Sequence, residues 1–234
     1  MSTPLNHSLL KGFEVLGLFS RDRPEITAAA LVEELEMNAA TAHRFLATLE
    51  EAGAIAAVRR GAYRLSHATA ELGRLAEDTN PLVGQIQPLI DALAADLGES
   101  VMVCRLARRG PVCIAVAIAP RPFALGFRTG TVLGLANSAQ GRLFLAQMTP
   151  AERAEALDGA LPDADLDAIR AEGIAQNAGS AEPDVGAVAV PVRAGGAVPL
   201  TLSTFGPLGR FTPAFRAAAV PRLRAAAAEI GRRL

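Results

Sequence analysis

Between Ser8 and Leu65 the hydrophobic pattern is first helical and then strand-like, and the order of those pieces constrains the fold more than any other feature of the chain. Leu9, Leu10, Phe13, Leu16 and Phe19 recur at spacings of three and four, which predicts an amphipathic helix over 8–20 with Ser8 as its N-cap. After the breaker Arg21-Asp22-Arg23-Pro24, Ile26 leads to Thr27, the N-cap expected for a short second helix with Ala28, Leu31, Val32 and Leu35 on one face. Glu36-Met37-Asn38 interrupts the pattern. A third helix is expected from Asn38, with Ala42, Phe45, Leu46 and Leu49 inward and Gly53 as its stop. Two strands, 54–58 and 62–65, then flank Arg59-Arg60-Gly61. Two short helices around a tight turn, followed by a hairpin with a basic tip, make a winged helix-turn-helix.

The inward set of the third helix leaves Asn38, Ala40, Thr41, Arg44 and Thr48 on the opposite side, free to enter a major groove, with Arg44 as the natural reader of a base or phosphate. Arg59 and Arg60 at the hairpin tip either reach phosphates or a minor groove, or form an ordinary solvated turn. Charge limits how such a domain works. The whole chain carries a formal net charge of −1, and residues 1–66 hold seven basic side chains against eight acidic ones, so coating nucleic acid by charge alone is excluded. The acids gather at Glu33, Glu34, Glu36, Glu50 and Glu51, which leaves a contact surface that is basic only locally.

Beyond the hairpin, 67–78 reads as a helix with Leu72 and Leu75 inward, and Pro81 precedes another over 82–97 whose apolar face is disturbed at Pro88. Strands are expected over 101–106, 112–118, 123–128, 185–192 and 198–204. Helices are expected over 138–148, over 150–157 where Thr149 and Glu152 form a capping box, over 163–172, and from Pro213 toward Leu234 with an interruption at Pro221. Helices flanking a largely antiparallel sheet give an α+β fold. The expected division is a winged domain over 1–66, a linker helix over 67–80 and a second α/β domain over 81–234.

Several functions are disfavoured by what these residues do not form. Cys104 and Cys113 sit on two arms of one expected hairpin; a disulfide is conceivable there, but two free buried thiols are the reading adopted. His7, His43 and His67 are scattered and no metal-ligand spacing appears, so no metal or other cofactor is expected. Ser138 has no histidine in its domain, and neither a phosphate-binding glycine loop nor a nucleophile elbow is present, so enzymatic activity is not expected. Apolar runs such as 112–119 are too short to span a bilayer and no export signal is read at the start, so the expected location is the cytoplasm.

The sequence resembles the IclR-type bacterial transcriptional regulators over nearly its whole length. Ser8-Leu9-Leu10-Lys11-Gly12-Phe13-Glu14-Val15-Leu16 is similar to the family's start, Ala40-Thr41-Ala42-His43-Arg44-Phe45-Leu46-Ala47-Thr48-Leu49 to its recognition helix, and Tyr63-Arg64-Leu65 to the end of its wing. Ala139-Gln140-Gly141-Arg142-Leu143-Phe144-Leu145-Ala146 resembles its alanine, glycine-lysine and leucine-alanine motif, with Arg142 for the usual lysine. Ala189-Val190-Pro191-Val192, Ser203 and Gly206-Pro207 follow at about the expected intervals. Glu36, Ser66 and Ala187 depart from it, standing where a turn glycine, a glycine after the wing and a polar or cysteine side chain are frequent.

The resemblance adds His43 to the DNA-facing set and implies a GAF-like or profilin-like sensor domain that binds a small-molecule effector. It also implies homodimers able to pair into tetramers and acting as a repressor or activator on double-stranded, palindromic operator DNA. One wall of the effector pocket is then expected from the loop 130–134, including Gly130, and from Asn137, Ser138 and Ala139 at a helix start, where free N–H groups favour an anion. Phe127, Leu135, Ala187, Val188, Ser203 and Phe205 are expected to supply the other walls, and a small carboxylate, aromatic or short aliphatic, is the effector class implied. The competing reading is a protein-interaction module that binds an effector but no specific DNA.

Overall fold

A computed structural model describes residues 4–20, 23–79, 81–122, 124–157 and 163–234, and the chain divides into two compact units, 1–80 and 81–234. Arg21, Asp22 and Phe123, which belong to the expected breaker and to one expected strand, lie outside the described residues, as does Asn80 at the end of the expected linker.

The first unit is a winged helix-turn-helix: α1 (His7–Leu16), β1 (Ile26–Thr27), α2 (Ala28–Leu35), α3 (Ala39–Glu51), β2 (Ile55–Arg59), β3 (Ala62–Leu65) and α4 (His67–Asp78). The three strands pair antiparallel in the order β1-β3-β2 around a core of Val15, Ile26, Leu31, Met37, Ala42, Leu46 and Ile55. Asn38 caps α3 by accepting the Thr41 N–H at 2.8 Å. The cap of α1 is Asn6 rather than Ser8, because the Asn6 side chain accepts the Leu9 N–H at 3.1 Å. Thr27 holds the N-cap position of α2 without a side-chain bond.

Two apolar stripes depart from their expected direction, the one on α1 only in part, since Leu16 and Phe19 do pack against the core. On α1 it is Gly12 and Val15 that are buried, while Leu9, Leu10 and Phe13 lie outward, Phe13 with 66% of its surface exposed. Gly12 faces the Leu49 side chain on α3, where an added Cβ would sit at an ordinary contact distance of 4.0 Å. Leu72 and Leu75 on α4 are exposed as well. Ser66 begins α4, its hydroxyl donating to the Gly53 carbonyl and accepting from the Thr69 N–H.

Glu36 ends α2 at φ 53°, in the left-handed region. An L side chain there costs about 1–2 kcal/mol, which a glycine avoids at some entropic cost in the unfolded chain. Glu36→Gly is therefore expected to stabilise this unit by about 0.5–1 kcal/mol, read as a higher melting temperature of the first transition.

The second unit contains α5 (Pro81–Leu97), β4 (Ser100–Ala107), β5 (Gly110–Ala117), α6 (Ala139–Gln147), α7 (Pro150–Ala156), α8 (Asp163–Glu172), β6 (Ala175–Ala178), β7 (Val185–Ala194), β8 (Ala197–Pro207) and α9 (Pro213–Gly231). Its sheet is antiparallel throughout, in the order β5-β4-β8-β7-β6. Period-two alternation sends Val101, Val103, Val188, Val190, Leu200 and Leu202 to one face, under α5 and α9. It sends Met102, Cys104, Ala187, Ala189 and Phe205 to the other, under α6 and α8.

Three expectations change here. The segment 124–128 is not a strand; its Leu125 carbonyl is held by the Ser100 hydroxyl at 2.9 Å instead of by a neighbouring strand. β6, unanticipated, pairs with β7 although Ala175-Gln176-Asn177-Ala178 has no β-branched or aromatic residue. Helix α9 continues through Pro221, as α5 does through Pro88, because both prolines lie on the solvent side of helices that Ile86, Ile90, Leu223 and Ile230 fix to the sheet.

Candidate DNA-contact surface and effector cavity

Along α3 the buried positions are Ala42 and Leu46, so the remaining faces are open. Asn38, Ala40, His43, Arg44 and Thr48 are exposed and Thr41 is half-buried. Thr41, Arg44 and Thr48 share one stripe, and the Thr48 hydroxyl donates to the Arg44 carbonyl at 2.8 Å. Among the described residues no ion pair engages Arg44 or Arg60, whereas Arg59 meets Glu25 at 3.0 Å. The acids beside this surface are partly occupied: Glu34 pairs with Arg23, and Glu50 accepts the Ala57 N–H at 3.3 Å. What remains is a helix N-terminus and a wing tip presenting two unpaired guanidinium groups, an arrangement suited to phosphate and base edges.

In the second unit a cavity of about 290 Å³ opens on the α6 side of the sheet. Met102, Ala187 and Phe205 line it from the strands, and Phe127 packs edge-on against Phe205 with ring centroids 5.0 Å apart. The loop 131–134 and the start of α6 form another wall. Ser138 caps α6: its hydroxyl accepts the Gly141 N–H at 3.0 Å and donates to the Gly134 carbonyl at 2.6 Å. The N–H groups of Ala139 and Gln140 in that first turn have no acceptor among the described residues. They carry the positive end of the helix dipole.

Phe127, Asn137, Ser138, Ala187 and Phe205 thus lie together on the cavity, as does the loop from Thr131 to Gly134. The other expected pocket residues lie elsewhere. Val188 points to the opposite face of the sheet, since it is one residue from Ala187 in a strand. Ser203 is fully buried and accepts from the Gln140 side chain at 2.6 Å, so Gln140 stands between it and the cavity. Ala139 and Leu135 pack into the core beneath α6, and Gly130 forms the turn at φ 85° whose N–H donates to the Cys113 carbonyl.

Residues that pattern reading did not single out complete the lining: Met102, Gln140, Asn177, Ala181, Glu182 and Val185. Asn177 and Gln140 are both more than nine-tenths buried, and the Asn177 carbonyl oxygen accepts the Ser180 N–H at 2.8 Å while its amino group has no partner among the described residues. Asn177 belongs to β6, the strand whose composition hides it.

Cys104 and Cys113 are free, buried and directly paired across β4 and β5. A hydrogen bond to Cys113 pushes the Cys104 thiol well above its ordinary pKa, with burial adding to it, and the same bond holds Cys113 lower. Among the described residues no group of three or more His, Cys, Asp or Glu side chains is placed to hold a metal ion, and no helix is long and apolar enough to cross a membrane.

A model of the IclR helix-turn-helix domain matches residues 8–59, and one of the bacterial transcriptional regulator IclR C-terminal domain matches residues 76–232. The HTH-type transcriptional regulator KipR of Bacillus subtilis is 29% identical over 98 residues, covering 42% of this chain and only 39% of KipR. A solved IclR transcriptional regulator from a Silicibacter species superposes with a TM-score of 0.84 at 26% identity over 97% of this chain and 95% of that one. An IclR homologue from Microbacterium hydrocarbonoxydans, complexed with 4-hydroxybenzoate, has the same fold at a TM-score of 0.68, with 23% identity over 96% of this chain and 97% of that one.

Proposed function

The chain belongs to the IclR family of bacterial transcriptional regulators, and on that premise we propose that it binds operator DNA through α3 and the β2–β3 wing under the control of a small acid held in the α6 cavity. A DNA-binding regulator, not an enzyme, is what the two matched domains make it. The observation that carries the effector half is the convergence of Asn137, Ser138, Gln140 and Asn177 on a cavity whose remaining walls are apolar apart from Thr131 and Glu182. Buried polar groups without partners cost free energy, so a cavity edged by amides and free helix N–H groups suits a ligand that supplies acceptors. An aromatic or short aliphatic carboxylate meets that description, and the 4-hydroxybenzoate complex of the Microbacterium homologue supports it.

We further propose that the protein acts as a homodimer or a tetramer, since a palindromic site requires two α3 helices at fixed spacing. The outward apolar residues Leu9, Leu10 and Phe13 on α1 and Leu72 and Leu75 on α4 are the surface such an assembly would cover. In this reading α4 links the two units, and effector binding changes the spacing of the paired α3 helices. That coupling requires the effector to bind one arrangement more tightly than the other.

Arg44→Ala is expected to weaken the complex with an enriched DNA site by about 1–3 kcal/mol and to relax sequence preference if Arg44 reads a base. Fluorescence anisotropy with the enriched and a scrambled duplex checks this. An equal loss on both would make Arg44 a phosphate contact, and no loss on either would remove α3 from the interface.

A further inference from the structure

Of the fifteen side chains and backbone positions lining the α6 cavity, Glu182 is the sole ionisable one among the described residues. Among the described residues no arginine, lysine or histidine lines the cavity opposite it, and it takes part in no ion pair. It is also held in place. The Asn177 side-chain Oδ1 accepts from the Ser180 N–H, the Gly179 N–H donates to the Val185 carbonyl at 3.0 Å, and the Val185 N–H donates to the Glu182 carbonyl at 3.2 Å. The loop carrying Glu182 is therefore closed on itself rather than free to carry the side chain away.

Two features of opposite sign thus border one small space: the positive end of α6, which reaches it at Asn137, Ser138 and Gln140, and the acidic side chain of Glu182. The helix terminus amounts to roughly half a charge and accommodates one carboxylate. A second carboxylate would have no counter-charge and would lie within a Debye length, about 8–10 Å, of Glu182. A hydroxyl or amino group at that end would instead donate to a carboxylate, a bond roughly twice as strong as a neutral one.

Resting on the cavity reading above, we propose that Glu182 sets the charge class of the effector: one carboxylate, with a hydrogen-bond donor at its other end, and dicarboxylates rejected. Glu182 is a specificity-determining residue in this account, whatever carbon skeleton fills the apolar part of the cavity.

Isothermal titration of the full chain at low ionic strength tests this with two matched series: benzoate, 3-hydroxybenzoate and isophthalate, and butanoate, 4-hydroxybutanoate and succinate. In at least one series the hydroxy acid should bind tightest and the dicarboxylate weakest. Glu182→Gln should narrow that range, tightening the dicarboxylate by about tenfold and weakening the hydroxy acid by about fivefold. Because Glu182 is exposed, the variant should melt with the parent in the absence of ligand. Binding whose rank order is untouched by Glu182→Gln, or a dicarboxylate that binds tightest to the parent, overturns the role of Glu182 and leaves the cavity reading standing. Binding of none of the six acids to parent or variant overturns the cavity reading itself, and this role with it.

Discussion

Truncating Phe205 to alanine is expected to destabilise the second unit by about 3–5 kcal/mol, the usual range for deleting a fully buried aromatic ring. Phe205 has 1% of its surface exposed, and it is among the largest side chains buried in the molecule. Its ring lies edge-on to Phe127, an arrangement worth about 0.5–1.5 kcal/mol beyond the area buried, and that partner loses its support at the same time. Because Phe205 also lines the cavity, the variant should lose ligand-induced stabilisation even at concentrations that saturate the parent. A lower urea midpoint for the second transition, with its denaturant slope unchanged, is the stability readout. A loss below about 1 kcal/mol would mean that the α6 face of the sheet is not packed as described.

Gly141→Ala should be nearly as damaging, for a different reason. A Cβ at Gly141 would come 2.1 Å from the Leu135 carbonyl oxygen and 2.6 Å from the carbon atoms beside it. Those are backbone atoms and cannot rotate aside as a side-chain tip would. Alanine is the better helix former by about 1 kcal/mol, which works in its favour. Overpacking against backbone outweighs that, and a net loss of about 2–3 kcal/mol is expected, with a fall of roughly 5–10 °C in melting temperature. The displaced segment is the one that brings Leu135, Asn137 and Ser138 to the start of α6, so ligand binding should weaken too. Thermal melts with and without a bound acid separate the two effects. An alanine variant as stable as the parent would show that α6 does not approach Leu135 so closely.

How much of this was legible in the sequence depends on whether a local signal agreed with the surroundings. The capping box of Thr149 and Glu152 is present with both of its bonds, and α3 starts beside Asn38, where a helix is expected to begin. Alternation along β4, β7 and β8 puts successive residues on opposite faces of the sheet. The expectation that Ala187 and Val188 both line one pocket conflicts with that alternation, since they are neighbours in β7 and face opposite ways.

The direction of α1 was not legible, because an apolar stripe announces that something covers it, not which surface does. Gly12 and Val15 turn inward, and Leu9, Leu10 and Phe13 outward. The β6 strand and its Asn177 were hidden for the opposite reason: a short strand receives its order from the neighbour it pairs with, and Ala175-Gln176-Asn177-Ala178 carries little preference of its own. Glu182 sits in the turn beyond that strand, so it escaped notice along with it.

The first unit, with 8 basic side chains against 11 acidic ones, gives the central claim its sharpest exposure. Binding by a local surface of Arg44, Arg60 and the α3 N-terminus must still release counterions from the phosphates it meets, although the unit as a whole carries no excess of positive charge. The direct measurement is the salt dependence of binding by the full chain to a duplex enriched from a random pool. The account predicts an enriched palindromic sequence whose affinity falls steeply and linearly in log–log form as salt rises, with a slope reduced by Arg60→Ala. Failure to enrich any sequence, or an affinity indifferent to salt, would contradict it and leave a ligand-binding module that works through another protein.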